Sequence, residues 1–382
     1  AGRAEEPRAA RITNRRWAFS ALGAAAGCTL KPSDTVYCVL PLHHAAGILV
    51  AVGGALIAGS RLALATRFAP EHFWSEARRY GATVVFYAGE MCRALVDAPP
   101  DPNDDHNPVR LFAGSGMRRD VWERLRTRFR AGVLEFYAST EGNAVLANAS
   151  GKKVGALGLP LPGATDMSIV AYDFAAKDFT RDEYGFVQRC GVDQPGMLIA
   201  RVDRAHAMAG FDGYVDGPGR DRLARDVFET GDRWFLTGDL MRQDEDGSFW
   251  FVDRVADVIE TASGPVFTPE VEDLLYRRAD IRMVAVHAWD GREPQEVAAT
   301  IVPRGERIDV PRLFNLIEEK LEPRSRPRYL RIVDAIELSD GYRPLKRPLE
   351  GATTSGVRQV YERRDGHYEL LLADGSKEVR AK

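Results

Sequence analysis

Three short stretches of this sequence combine residue types that could hold a nucleotide. The first is Phe136-Tyr137-Ala138-Ser139-Thr140-Glu141-Gly142-Asn143, just past a strand-like run. A hydroxyl-rich loop ending in a carboxylate and a glycine can gather backbone N–H groups, a threonine oxygen and a glutamate oxygen around one polyphosphate. Glu141 would then hold Mg2+, a cation that takes oxygen ligands and usually keeps waters and substrate phosphates. The same letters also describe a surface turn that caps a helix through Ser139 or Thr140. The second stretch is Trp234-Phe235-Leu236-Thr237-Gly238-Asp239-Leu240, where an aspartate after a glycine turn can accept hydrogen bonds from two ribose hydroxyls or can simply sit in a β-turn. The third is Phe251-Val252-Asp253-Arg254-Val255-Ala256-Asp257, where Arg254 could reach a ribose or phosphate, or form an inter-domain salt bridge.

These residues need elements to carry them. Thr35–Leu42 reads as a buried strand, His44–Ala58 as a buried helix, Arg61–Ala65 as a strand, and Pro70–Tyr80 as a helix stopped by Gly81. Thr83–Tyr87 is β-branched and aromatic, hence a strand. After a Pro-rich loop over Ala98–Pro108, a strand at Val109–Ala113, a Gly-Ser-Gly turn, a helix at Asp120–Arg130 and a strand at Val133–Tyr137 follow. Strands alternating with helices predict an α/β layered architecture with a mixed, largely parallel sheet. From about Gly155, short β runs between Gly, Pro and Asp predict a β-rich subdomain. Beyond Asp253 the pattern predicts a small C-terminal α+β domain: helix Pro269–Arg277, strands Met283–Ala288 and Val297–Pro303, helix Val310–Leu321 and strand Tyr329–Val333. The expected division is residues 1–253 and 254–382.

Bulk properties narrow the function. The 382 residues are 45% hydrophobic and 28% charged, the composition of a globular protein, and allow more than one domain. A net charge of −3 gives no basic field, so no nucleic-acid partner is expected. The cysteines Cys28, Cys38, Cys92 and Cys190 form no CxxC pair, which argues against a zinc ribbon and fits a reducing, cytoplasmic setting. No apolar run is long enough to span a bilayer.

The three stretches occur in one chain in a fixed order, and that order resembles the adenylate-forming, AMP-binding acyl-CoA synthetase superfamily. Leu40-Pro41-Leu42-His43-His44-Ala45-Ala46-Gly47, Phe211-Asp212-Gly213-Tyr214, Asp226–Asp232 and Pro323–Arg331 point to its fatty-acid-transport-protein or very-long-chain acyl-CoA synthetase branch. The resemblance covers nearly the whole chain. It implies that Thr140 and Glu141 bind phosphate and Mg2+, that Gly114, Ser115, Gly116 and Tyr137 flank the adenine of ATP or AMP, that Asp239 binds the ribose with help from Arg254, and that His44 lies near the acyl pocket. It further implies a fatty carboxylic acid as substrate and CoA or an acyl carrier as acceptor. A peripheral membrane contact, and a second chain or a homo-oligomer that supplies the family's N-terminal portion, are left open.

Four departures set a second reading beside this one. The family's hydroxyl-rich phosphate loop corresponds to Ala1–Arg8, with Gly2 and Pro7 kept, Arg8 in place of lysine, and Glu5 and Glu6 opposing an anion. The N-terminal portion of the family precedes this point. The loop that serves thioester formation reads Glu260–Pro265, without its charges. The adenylation lysine corresponds to Arg343, with Lys346 three residues on, and the two cations differ in geometry and hydration. The alternative is therefore a non-catalytic or ATP-independent relative that binds AMP or acyl-CoA.

Overall fold

The computed structural model describes residues 8–203, 209–289, 293–350 and 356–373. The chain divides into two compact units. One comprises Ala1–Tyr172, Phe179–Phe251 and Asp340–Arg343; the other comprises Asp173–Asp178, Val252–Ser339 and Pro344–Lys382.

The first unit is built on a sheet of β1 (Thr35–Cys38), β2 (Arg61–Leu64), β3 (Val84–Ala88), β4 (Leu111–Ser115), β5 (Gly132–Ala138), β6 (Val145–Asn148) and β7 (Leu159–Pro160), in the order β2-β1-β3-β4-β5-β6-β7. The first five strands are parallel and the last two run antiparallel. Every residue of β1 and β3 is buried, as in strands covered on both faces. The helices are α1 (Asn14–Gly27), α2 (Gly53–Ala58), α3 (Pro70–Tyr80), α4 (Met91–Asp97) and α5 (Arg119–Phe129). Phe73 of α3 and Trp122, Leu125 and Phe129 of α5 enter one core with Phe86 and Phe112 of the sheet. The chain leaves β1 for β2 on one side and returns to β3 on the other. Open α/β sheets take ligands outside the carboxyl ends of their strands at such a reversal.

Two expected elements differ. The helix expected over His44–Ala58 is a π-helical segment, Ala46–Val52, followed by α2. A Cβ on Gly47 would lie 2.3 Å from the Pro41 carbonyl oxygen, so glycine is what lets this turn approach the preceding backbone. The segment is also not wholly buried: Gly53 and Gly54 seat against Ala21 and Ala24 of α1, while Leu56 is 63% exposed. The strand expected at Val109 begins at Leu111, because the Asn107 side chain accepts from the Val109 N–H at 3.0 Å. Gly114 and Ser115 are thus strand residues rather than turn.

The β-rich part holds β8 (Met167–Val170), the short β9 (Tyr172–Asp173) and β10 (Asp178–Phe179), β11 (Gly196–Arg201), β12 (Leu223–Arg225), β13 (Arg233–Gln243) and β14 (Phe249–Arg254). Its sheet runs β12-β13-β11-β8, with β14 beside β13.

The second unit has a hairpin of β15 (Ile259–Thr261) and β16 (Gly264–Val266), helices α6 (Thr268–Leu275) and α7 (Val310–Lys320), and a five-stranded sheet. That sheet is β17 (Ile281–Ala288), β18 (Val297–Pro303), β19 (Tyr329–Val333), β20 (Val357–Arg364) and β21 (His367–Ala373), in sequential order. Val271, Leu275, Val284, Val286, Ile301, Leu313, Ile317 and Ile332 form its core. Among the described residues, no helix is long and apolar enough to cross a membrane.

Candidate active site

The expected residues of the first unit gather around the carboxyl ends of its parallel strands and the neighbouring β13. Tyr137, near the end of β5, donates its hydroxyl hydrogen bond to the buried Asp239 carboxylate at 2.6 Å. Asp239 follows Gly238, whose φ of +73° is costly for other residues. Its own N–H donates to the Thr237 hydroxyl oxygen at 3.0 Å, and that hydroxyl donates to the Leu198 carbonyl at 2.6 Å. The carboxylate is therefore fixed by a phenol and by a turn held to β11.

The loop after β5 closes on itself. Gly142 N–H donates to the Ser139 carbonyl at 2.9 Å, and Ser139 N–H donates to Ala144 at 3.1 Å. Thr140 is half-buried and Glu141 is buried. Glu141 accepts a hydrogen bond from the Tyr214 hydroxyl at 2.6 Å. Arg16 of α1 underlies this loop: a Cβ on Gly142 would lie 2.2 Å from its guanidinium, and Arg16 donates to the Gly210 carbonyl. Burial lowers the Arg16 pKa, with Asp212 and Glu141 opposing the shift.

Gly114 and Gly116 turn out to serve different purposes. A Cβ on Gly114 would lie 2.2 Å from the Tyr87 carbonyl oxygen, so its bareness is used inside the sheet. Gly116 has φ +98° and lies under the Arg343 guanidinium, which also donates to the Ser115 hydroxyl oxygen at 3.3 Å. Arg343 ends a segment that crosses the mouths of three strands. His43, after β1, meets the Asp340 carboxylate at 2.9 Å. Glu90, just past β3, donates its N–H to the Tyr342 carbonyl at 2.9 Å, and the Tyr342 ring packs on Phe68 at 5.7 Å. His44 is half-buried, and its Nδ1 accepts from Ala46 N–H at 3.2 Å.

Glu135 was not anticipated. It is fully buried in β5 and accepts from the Tyr87 hydroxyl, from Gly116 N–H and, at 3.3 Å, from Met117 N–H. Burial pushes its pKa up to about 7, against these hydrogen bonds and the Arg343 charge. A lone carboxylate inside Gly-Val-Leu-Glu-Phe-Tyr-Ala was the available signal, since a buried charge must be partnered. Tyr214 carried a weaker one, a tyrosine beside a turn glycine.

Arg254 and Lys346 belong to the second unit. Arg254 lies 3.7 Å from Asp257. Lys346 pairs with Glu272 at 2.9 Å and donates to the Thr268 hydroxyl. Asp253 accepts from Thr268 N–H at 2.6 Å and from its hydroxyl at 2.9 Å. Burial pushes the Asp253 pKa up to about 6, with Lys346 opposing the shift. Lys346 is thus the cation of a buried polar cluster. In the Glu260–Pro265 stretch, Gly264 has φ +109° and accepts the Thr261 hydroxyl at 2.8 Å, which makes the tight hairpin. Gly2, Glu5, Glu6 and Pro7 lie outside the described residues. Arg8 pairs with Asp216 and Asp221, each at 3.0 Å, and lies 4.0 Å over the Tyr214 ring.

Among the described residues, no group of three or more His, Cys, Asp or Glu side chains could hold a metal ion. A divalent cation at this site would be bound by Glu141 together with a nucleotide's phosphates and water, and one buried carboxylate beside a threonine fits that mode.

The AMP-binding enzyme family matches residues 6–183. The chain is 32% identical over 366 residues to long-chain fatty acid transport protein 2 of Rattus norvegicus, covering 93% of this chain and 58% of that protein. It is 33% identical over 386 residues to the medium/long-chain-fatty-acid–CoA ligase FadD6 of Mycobacterium tuberculosis, covering 98% and 63%. The chain thus spans less than two-thirds of these curated relatives. Among solved structures, ATP-bound MatB from Rhodopseudomonas palustris matches with a TM-score of 0.76 at 22% identity over 91% of this chain and 66% of that one. The Bacillus subtilis O-succinylbenzoate coenzyme A synthetase in complex with AMP matches with a TM-score of 0.71 at 21% identity over 92% and 68%. These two structures establish the fold. Residues 6–183 thus carry an AMP-binding enzyme domain, and the chain is similar over nearly all its length to long-chain fatty acid transport proteins and a fatty-acid–CoA ligase.

Proposed function

We propose that this chain activates a fatty or related carboxylic acid with ATP and passes the acyl group to coenzyme A. The observation that supports this most is the position of Arg343 against Ser115 and Gly116, in the unit that also holds the Tyr137–Asp239 pair and the buried Glu141. In the first half-reaction a carboxylate oxygen of the acid attacks the α-phosphorus of ATP, and the bond to pyrophosphate breaks. In the second, a thiolate attacks the acyl carbon and AMP leaves.

Each residue has a part in this scheme. Asp239, fixed by Tyr137, accepts from the ribose hydroxyls. Thr140 takes a phosphate oxygen. Arg343 faces the reacting phosphate as a fixed cation, and Lys346 stays with Glu272. Mg2+, bound through Glu141 and the phosphates, supplies charge neutralisation. Ser115 and Gly116 flank the adenine, and the acyl chain enters past His44.

The test is acyl-CoA formation, read by mass spectrometry, from a fatty acid, Mg-ATP and CoA. Removing a preorganised cation from a developing charge costs about a hundredfold or more in rate. Arg343→Ala should fall by that much, and Arg343→Lys should retain much of the rate. Equal rates for wild type and Arg343→Ala would remove Arg343 from the chemistry.

A further inference from the structure

The turn Gly89-Glu90, between β3 and α4, faces two ways. Gly89 N–H donates to the Ser115 carbonyl at the end of β4, and Glu90 N–H donates to the Tyr342 carbonyl, each at 2.9 Å. Gly89 has φ +48°, and a Cβ on it would lie 2.2 Å from the Tyr342 carbonyl oxygen and 2.7 Å from that of Gly341. Only glycine lets two backbones meet this closely, so its bareness is what seats Gly341 and Tyr342 on the turn. Gly116 adds a second close approach: a Cβ on it would lie 3.3 Å from the Gly89 Cα and 3.2 Å from an Arg343 guanidinium nitrogen. All of these residues belong to the first unit.

The turn is anchored on its other side. The Glu90 carboxylate accepts from Arg93 Nε at 2.8 Å and lies 3.5 Å from Arg118. Arg93 is 5% exposed and donates to both Asp120 oxygens, at 3.0 and 3.1 Å. Moving the turn would break the ion pairs of a buried arginine, which is costly. Tyr342 has φ +54°, a backbone conformation that an aromatic residue keeps only where its surroundings over-determine it. Its carbonyl bond to Glu90 and the edge-on contact of its ring with Phe68, at 5.7 Å between centroids, are such constraints.

From these contacts we propose that Gly89 is a positioning residue for Arg343. Its missing side chain and the Glu90 N–H set how closely Gly341 and Tyr342 lie on the strand ends, and so hold the next residue's guanidinium at Ser115 and Gly116. This rests on the proposed reading of Arg343 as the cation that faces the reacting phosphate. Gly89 itself touches no substrate and acts through Arg343. A methyl group at this position would lift Tyr342 and carry the guanidinium away from Gly116.

ATP–pyrophosphate exchange by the full chain, with Mg-ATP and a fatty acid, tests this as a double-mutant cycle. A displacement on the ångström scale costs about a hundredfold in rate, so Gly89→Ala should exchange about that much more slowly than the wild type. Gly89→Ala/Arg343→Ala should stay within about twofold of Arg343→Ala alone, because nothing is then left to position. Thermal melting checks that each variant folds. If Gly89→Ala does not fold, Phe68→Ala takes its place: it leaves the turn intact, removes the ring that packs on Tyr342, and should slow exchange about tenfold in the wild-type background alone. A folded variant that exchanges at the wild-type rate, or a loss that multiplies with that of Arg343→Ala, would overturn the positioning role and leave the reading of Arg343 standing. Exchange that is absent from the wild type, or equal in wild type and Arg343→Ala, would remove Arg343 from the chemistry and the positioning role with it.

Discussion

Glu135 makes the sharpest pH prediction at the scale of single residues. Its folded pKa, about 7, lies above the ordinary 4.5 because burial disfavours the carboxylate. The unfolded chain therefore loses this proton first as pH rises, and folding stability falls between about pH 4.5 and 7. The shift corresponds to about 3 kcal/mol across that window. Glu135→Gln keeps an acceptor for the Gly116 and Met117 N–H groups but cannot ionise. The variant-minus-wild-type difference in melting temperature should therefore grow as pH is raised from 5 to 8. A pH-independent difference would place the Glu135 pKa elsewhere. Thr140, Glu141 and Asp239 are expected at the site from motif order, which needs no knowledge of contacts. Glu135 and Tyr214 could not be placed that way. Their roles come from partners far along the chain, Tyr87 and Glu141, which the fold alone brings together.

At the scale of elements, period and punctuation explain what was legible. Pro70 and Gly81 bound α3, and the bounds of β18 and β19 agree with the sequence reading. The hairpin of β20 and β21 was missed, although Asp365-Gly366, with φ of +40° and +81°, is a strong two-residue turn signal between alternating runs. The π-helical turn after His44 was illegible for a different reason, since it follows from the close approach of Gly47 to Pro41 rather than from local propensity. Gly47→Ala should cost about 1–3 kcal/mol by overpacking, measured as a lower urea midpoint. A neutral effect would show that the Pro41 turn yields easily. In the second unit, Lys346→Met should leave the buried Glu272 carboxylate without its cation and cost about 3–5 kcal/mol. Lower turnover with unchanged stability would instead return Lys346 to the chemistry.

For the whole molecule, the alternation of strand and helix predicted the mixed α/β architecture, and the order β2-β1-β3-β4-β5 explains why the expected site residues converge. Their side chains come from the ends of β4 and β5, from β13, and from Asp340–Arg343, far apart in sequence but in one compact unit. What the sequence could not weigh was whether Arg343 and the Ala1–Arg8 stretch still support chemistry on ATP. In the fold, Arg343 stands over Gly116 while Arg8 is engaged by two aspartates. The proposed function requires that adenylation survive this exchange of cations, and ATP–pyrophosphate exchange with the purified chain, Mg2+ and a panel of fatty and aromatic acids tests that. Acid-dependent exchange is expected, strongest with a fatty acid. Well-folded protein that gives no exchange with any acid would contradict it and leave a fold that binds AMP or acyl-CoA without making the adenylate.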